Sequence, residues 1–581
     1  MDWRDRFRAP AVTQVAVAAH NPSRAMVISD RDQRFQAFAW DRSSGDLRPV
    51  TASDAAVTTA AVSSDGEWIY AMVEDEPGSE IGHLHRFAFD TGESEDLTPG
   101  LNGYTAYGLH PTDSGVIAVA GMGGEQALLV VDSAGTRTLV MPSLVRETVY
   151  SEEGTAAVTL ATPGSGLVPM VRLVDLTTGE VHAEMGRARG GPIHQGRVAV
   201  ARVEGDWLRP GFWDGERLTQ IEVDIPGDVT PVDWWEGASL LLAQSYRARS
   251  ALFVHDVDSG ETTRLATPPG SAHPWADAVL VGPETAISVW SDATRPWHLV
   301  ELSPREHRVA LSLEGQEPFP GPQWEEFTFV STGDAEIQGW LMRPEEEGPW
   351  PTVLYTHGGP SSVAGPTFSP ICSAWFDAGF AVASINYRGS LTFGESFREA
   401  LTGNIGGPDV DDVVSAWQWL VDEGIADPDR VVKNGYSYGG YLTLQSLGTH
   451  PDLWAAGVAG APIGDWALNY EDSNDILKGY DLSLFGGPPE ERPDHYRRAS
   501  PRTYAADYDA PILISQPATD SRTPLRQVEA FVAELRAEDK PVDLRVLDGG
   551  HAGSGKAQTI EMVESWLDFA TPIVGLVRAG D

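Results

Sequence analysis

The 581-residue sequence has a single cysteine, Cys372. No intrachain disulfide can form, and a reducing compartment is permitted. Lysine is nearly as scarce: Lys433, Lys478, Lys540 and Lys556 are the only four among 41 basic residues. Acidic residues number 84, so the net charge is −43. A chain of that sign is a poor match for nucleic acid, which needs a cationic face. The scarcity of lysine fits a GC-rich genome and adaptation to salt equally well. No run of 18 apolar residues occurs, so no membrane-spanning helix is expected. The opening MDWRDRFRAP lacks the apolar stretch of a leader peptide. Together these absences point to the cytoplasm.

What is present is a globular composition, 41% apolar and 22% charged, at a length natural for two large domains. The first 320 residues read as short strands bounded by turn residues, such as Gln36–Trp40, Ala127–Val131, Arg197–Val203 and Ser239–Gln244. One turn recurs, an Asp ending a strand followed closely by Gly. It stands at Asp41–Gly45, Asp90–Gly92, Asp132–Gly135, Asp175–Gly179, Asp214–Gly215 and Asp258–Gly260, with a weaker form at Pro304–His307. The spacing is about 44 residues, the length of one four-stranded propeller blade. Seven marks predict an all-β propeller of seven blades over residues 1–320.

From about Trp324 the texture changes. A hairpin, Glu326–Val330 with Gln338–Met342, precedes alternating apolar strands and amphipathic helices. That alternation predicts a parallel sheet covered on both faces, and residues 321–581 are expected to form an α/β-hydrolase domain. Gly435-Tyr436-Ser437-Tyr438-Gly439 is its G-x-S-x-G motif. It follows the short strand Arg430–Lys433 and opens a helix, which is the strand–turn–helix of a nucleophile elbow.

A serine hydroxyl needs a base to take its proton. In this fold the acid and then the histidine follow the serine, each after a strand. Strand Pro511–Gln516 leads to Asp520, and strand Val542–Leu547 leads to His551. Ser437, Asp520 and His551 are therefore the expected triad. Asp548 is a rival acid, too close to His551 in sequence to orient it from a separate loop. The oxyanion formed by attack needs waiting donors. The backbone N–H of Tyr438 is one candidate. Gly359, in His357-Gly358-Gly359-Pro360 at the end of a strand, is the other. Trp466 and Tyr470 are expected to line the substrate pocket. Arg388 is expected to brace the loops near the elbow and to reach substrate. Asp409, Asp411 and Asp412 read as helix caps. The histidines show no metal-ligand spacing and no phosphate or dinucleotide loop is visible, so no metal or other cofactor is expected.

These pieces together resemble the prolyl oligopeptidase family of serine peptidases. The resemblance rests on His357–Pro360, Asn386–Ser390 with Phe393-Gly394, and Asp427–Val431 leading into Gly435–Gly440. It continues through Phe485–Pro488, Tyr496–Pro501, Asp520–Pro524 and Gly550-His551. It runs in order through nearly all of residues 324–570, and its motifs look most like the acylaminoacyl-peptidase and aminopeptidase branch. Where relatives usually carry a glycine-bearing pair, this chain has Gln516-Pro517-Ala518. The resemblance implies a propeller lid that admits short peptides. It implies a serine exopeptidase acting on short peptides or on aminoacyl and acylaminoacyl amides through an acyl-enzyme. An esterase or acyltransferase acting on a small metabolite would use the same residues. A binding propeller with a vestigial hydrolase is a third reading, which the intact triad disfavours. The helical insertion that anchors a free amine in the dipeptidyl-peptidase branch is not seen. A homo-oligomer stays open.

Overall fold

The computed structural model describes residues 2–161, 168–273, 278–552 and 555–577. The chain divides into two compact units. Among the described residues no helix is long and apolar enough to cross a membrane.

The first unit spans Pro10–Glu317 and also takes Asn474–Ser483. It is a propeller of seven antiparallel sheets, six of four strands and a last one of five. The Asp–Gly turns join the third strand of a sheet to its fourth, as between Gln36–Asp41 and Leu47–Pro49. The reason is local. Asp41 Oδ1 accepts the amides of Ser43 and Ser44, and Gly45 closes the turn at φ +83°, a conformation open to glycine at little cost. In the sixth sheet the aspartate doing this is Asp256, whose Oδ1 accepts from Ser259 N, and not Asp258 as the spacing suggested.

Each sheet buries both faces against its neighbours. Ala37 and Ala39 of the first sheet share a core with Ile69 and Ala71 of the second. The series continues around the ring. It ends with Ile287, Val289 and Leu299 of the seventh sheet packing on Val15, Val27 and Phe38 of the first. Closure thus leaves no apolar end face uncovered.

The second unit comprises Met1–Ala9, Pro318–Ser473 and Leu484–Asp581. Its eight strands are β1 (Glu325–Val330), β2 (Glu336–Met342), β3 (Trp350–Thr356), β4 (Ala381–Asn386), β5 (Ala426–Tyr436), β6 (Ala456–Gly460), β7 (Ile512–Pro517) and β8 (Val542–Leu547). They form one sheet in the order β1-β2-β4-β3-β5-β6-β7-β8. Pairing is antiparallel for β1, β2 and β4 and parallel from there on. The helices used below are α1 (Pro370–Asp377), α2 (Pro408–Asp422), α3 (Tyr438–Thr449), α4 (Trp466–Asp472), α5 (Leu525–Ala537) and α6 (Lys556–Ile573). This is the α/β-hydrolase fold, with connections that leave the ends of β3, β5, β7 and β8 on one edge.

The domain boundary at 320 drawn from the sequence needs amending at both ends. The segment before Pro10 belongs to the second unit because its side chains are used there. Trp3 and Phe7 join the core of Trp375 and Trp566. Arg6 Nε lies 3.1 Å from Asp377 Oδ2, and Lys556 Nζ donates to Ala9 O at 3.0 Å. Conversely, residues 474–483 cluster with the propeller: Asp475 Oδ2 accepts from Gly124 N at 2.9 Å and Asp475 O accepts from Gln126 Nε2 at 2.7 Å.

Candidate active site

Ser437 sits between β5 and α3 at φ 58° and ψ −124°, a left-handed conformation that costs a non-glycine residue of order 1–3 kcal/mol. The surroundings enforce it. A Cβ on Gly435 would fall 2.3 Å from Gly439 backbone, and one on Gly439 would fall 2.0 Å from Thr356 O. One on Gly440 would fall 2.6 Å from Gly460 O. Glycine at all three positions lets the strand, turn and helix close on one another and holds the serine at the tip.

His551, in the loop after β8, places Nε2 3.0 Å from Ser437 Oγ. Its Nδ1 lies 2.8 Å from Asp520 Oδ2, in the loop after β7. Of the two acids weighed from the sequence, Asp520 is the one that faces the ring. The Tyr436 hydroxyl donates to His551 O at 3.0 Å, fixing the histidine backbone from the strand that carries the serine.

Asp520 is itself held. Its Oδ1 accepts from Arg522 N and Thr523 N, and the Thr523 hydroxyl lies 2.9 Å from Oδ2. Burial works to raise its pKa, but the charge of His551 and these hydrogen bonds outweigh burial, and the carboxyl falls below the usual range. An ionised Asp520 keeps the proton on Nδ1, which leaves Nε2 as the acceptor facing Ser437. The unusual Gln516-Pro517-Ala518 is accommodated here. Gln516 Nε2 donates to Thr523 O at 2.7 Å, and Ala518 N pairs with Leu547 O.

The loop after β3 runs beside the serine. A Cβ on Gly358 would lie 3.3 Å from Ser437 Cβ, and Gly359 stands at φ +131°. The backbone N–H groups of Gly359 and Tyr438 find no acceptor among the described residues. His357 braces this loop. It stacks on Tyr387 at 4.5 Å between centroids, and its Nε2 lies 3.0 Å from Ser390 Oγ. Burial pushes its pKa down to about 4, so the ring is neutral and adds no charge beside the site.

The other expected residues are placed differently. Arg388 is committed to bracing: Nη2 donates to Asp412 at 2.7 Å, to Thr332 at 2.9 Å and to Pro408 O at 3.1 Å. That corrects the expectation that it reaches substrate. Asp409, Asp411 and Asp412 do not cap α2 with their side chains. Asp412 pairs with Arg388, and Asp411 accepts from Thr332 Oγ1. Asp409 Oδ2 accepts the Tyr438 hydroxyl at 2.6 Å. Burial, with Asp412 adding to it, pushes Asp409 up to about 6. Sequence reading missed this role. The signal available was an acid in the first turn of a helix whose preceding residue is glycine.

Trp466 is 2% exposed and packs edge-on against Tyr438, with Tyr441 and Phe485 on its other sides. Tyr470, one turn along α4, meets Tyr496 at 6.3 Å. The residue after the serine is therefore backed by an aromatic cluster, with Trp466 behind Tyr438.

Residues 366–576 match the model of the prolyl oligopeptidase family. The chain is 29% identical over 347 residues to the acylamino-acid-releasing enzyme of Rattus norvegicus, covering 54% of this chain and 46% of that one. It spans about half the length of such relatives. It is 28% identical over 563 residues to dipeptidyl aminopeptidase BIII of Pseudoxanthomonas mexicana, covering 93% of this chain and 70% of that one. Among solved structures, a puromycin-hydrolyzing peptidase of Mycobacterium tuberculosis aligns over all of this chain and 97% of its own, with a TM-score of 0.82 and 18% identity. An acylaminoacyl peptidase in complex with Z-Gly-Gly-Phe-chloromethyl ketone aligns over all of this chain and 98% of its own, with a TM-score of 0.72 and 18% identity. At those identities the likeness is one of fold.

Proposed function

We propose that this chain, whose residues 366–576 match the model of the prolyl oligopeptidase family, is a serine exopeptidase of that family that hydrolyses short peptides or aminoacyl and acylaminoacyl amides. The observation that carries the reading is the unbroken line Ser437 Oγ, His551, Asp520 at 3.0 and 2.8 Å, beside two backbone amides that have no acceptor among the described residues. Ser437 attacks the scissile carbonyl while His551 Nε2 takes its proton. The tetrahedral oxyanion is received by the amides of Tyr438 and Gly359. His551 then gives the proton to the leaving amine, and water repeats the sequence to free the acyl-enzyme. Asp520 stays ionised and orients the imidazole throughout.

Of the aromatic residues expected at the pocket, Tyr470 alone is partly exposed and stays the proposed substrate contact, while Trp466 and Tyr438 are buried and back the elbow without facing substrate. Two of the relatives are named an acylamino-acid-releasing enzyme and a dipeptidyl aminopeptidase, which supports an exopeptidase more than an endopeptidase. With Cys372 buried and alone, the enzyme is suited to a reducing cytoplasm.

An esterase would use the same groups, so the test is comparative. Aminoacyl arylamides, acylaminoacyl arylamides, puromycin and matched acyl esters are assayed with the wild type and Ser437→Ala. The proposal expects kcat/KM on at least one amide class to approach or exceed that on its matched ester. Hydrolysis confined to esters would replace it with the esterase reading.

A further inference from the structure

Lys433 is one of only four lysines in the chain, and it is fully buried in β5, directly ahead of the elbow. Its neighbours Val431 and Val432 are what a strand covered on both faces requires, and in register it lies between Leu354 and Gly457. No carboxylate oxygen approaches it within 4 Å among the described residues, and burial lowers its pKa far below a lysine's ordinary value. A lysine here is expensive unless its N–H groups are used.

They are used on both sides of the elbow. Nζ donates to Thr356 Oγ1 at 2.6 Å, to Asn434 O at 3.1 Å and to Thr443 Oγ1 at 3.4 Å. Thr356 is the last residue of β3 and leads directly into His357-Gly358-Gly359. Thr443 lies in α3, one turn beyond Tyr438-Gly439. The Thr356 and Thr443 hydroxyls in turn both donate to Gly439 O, at 3.2 and 3.0 Å. Each hydroxyl proton is therefore spent on the same carbonyl, and each hydroxyl oxygen is free to accept from Lys433.

We propose that Lys433 is a positioning residue for oxyanion stabilisation, tying the strand end that carries Gly359 to the helix turn that carries Tyr438. It touches neither substrate nor Ser437. It fixes the separation of the two amides by holding Thr356 and Thr443 against Gly439 O. This rests on the function proposed above, in which those two amides receive the oxyanion. The consequence is specific. Loss of Lys433 should weaken binding of the tetrahedral state and leave ground-state binding nearly alone.

The test uses Lys433→Met, Thr356→Val and the double variant of the full chain. Methionine keeps much of the volume and removes the donors. The substitution takes a donor from Asn434 O and from both threonine oxygens, a cost the thermal midpoint registers, and Thr356→Val approaches the same link from its other end. Measured are kcat and KM on an arylamide substrate, Ki for a peptidyl trifluoromethyl ketone, and the thermal midpoint. The expected result is a fall in kcat of about 10- to 100-fold in each single variant, short of the roughly 10²–10³-fold loss on removing one oxyanion donor outright. KM should stay within about twofold, Ki should rise in step with the loss of kcat/KM, and the double variant should be no worse than the poorer single one. Wild-type kcat and Ki in a folded Lys433→Met or Thr356→Val overturns the proposal. So does a loss confined to the thermal midpoint or to KM. Ser437→Ala serves as reference: if it retains activity, the proposed function fails, whereas an inactive Ser437→Ala beside a fully active Lys433→Met sinks only the role of Lys433.

Discussion

His551 and Asp520 face each other at 2.8 Å although they arrive on separate loops, after β8 and β7. The two loops are also tied through their backbones, Thr519 N donating to Gly549 O and Ala518 N to Leu547 O. The acid is therefore set by the sheet edge and not by the histidine alone.

That setting predicts the effect of Asp520→Asn. The amide preserves the shape and can still accept from Thr523 N and Arg522 N. It removes the charge and can select the wrong tautomer of His551. A fall in kcat of roughly 10⁴-fold is expected, with the thermal midpoint little changed. Near-normal activity in this variant would instead point to Asp548 as the orienting acid.

The elbow glycines separate stability from activity. In Gly439→Ala the new methyl would meet Thr356 O at 2.0 Å, where neither backbone can move away. Destabilisation beyond about 4 kcal/mol, or failure to fold, is expected. In Gly358→Ala the methyl would stand 3.3 Å from Ser437 Cβ, close enough to crowd the reacting groups without breaking the fold. Here kcat/KM should fall by an order of magnitude or more while denaturant unfolding shifts by less than about 1 kcal/mol. Parallel behaviour of the two variants would contradict the packing described.

Asp409 gives the stability a pH dependence. Burial holds its folded pKa at about 6, above the ordinary carboxyl value of 3.8. The folded state thus binds the proton more tightly than the unfolded chain. The contribution of Asp409 is fully present below about pH 4 and is lost as pH rises through about 6. Asp409→Asn keeps an acceptor for the Tyr438 hydroxyl and does not titrate. The stability of the variant relative to wild type should therefore increase between about pH 4 and 7, by up to about 3 kcal/mol, and level off above. Chemical denaturation at a series of pH values reads this directly, and a difference that is constant with pH would remove the buried-acid explanation.

Much of this molecule was legible in its sequence because the signals are local. The Asp–Gly turns mark sheets one by one, since an aspartate oxygen and a positive-φ glycine suffice to build each turn. Ser437, Asp520 and His551 could be named because each follows a strand of recognisable composition. What stayed hidden depends on partners far away in the chain. Trp3 and Phe7 look like any amphipathic start, and it is their packing on Trp375 and Trp566, with the Arg6–Asp377 and Lys556–Ala9 contacts beside them, that assigns the segment to the second unit. Asp475 gives no local sign that it bonds Gly124. Asp409 reads as a cap until Tyr438 is brought to it, and Lys433 reads as the edge of a strand until Thr356 and Thr443 enclose it. Arg388 reads as free to reach substrate until Asp412, 24 residues on, is brought to it.

The central claim is that Ser437 is an activated nucleophile. The most direct measurement is stoichiometric labelling with a fluorophosphonate, followed by peptide mapping, with arylamide hydrolysis recorded on the same samples. The account predicts one equivalent of label on Ser437, loss of hydrolysis in proportion to labelling, and neither label nor hydrolysis in Ser437→Ala. Label on another residue, or hydrolysis that survives Ser437→Ala, would contradict it.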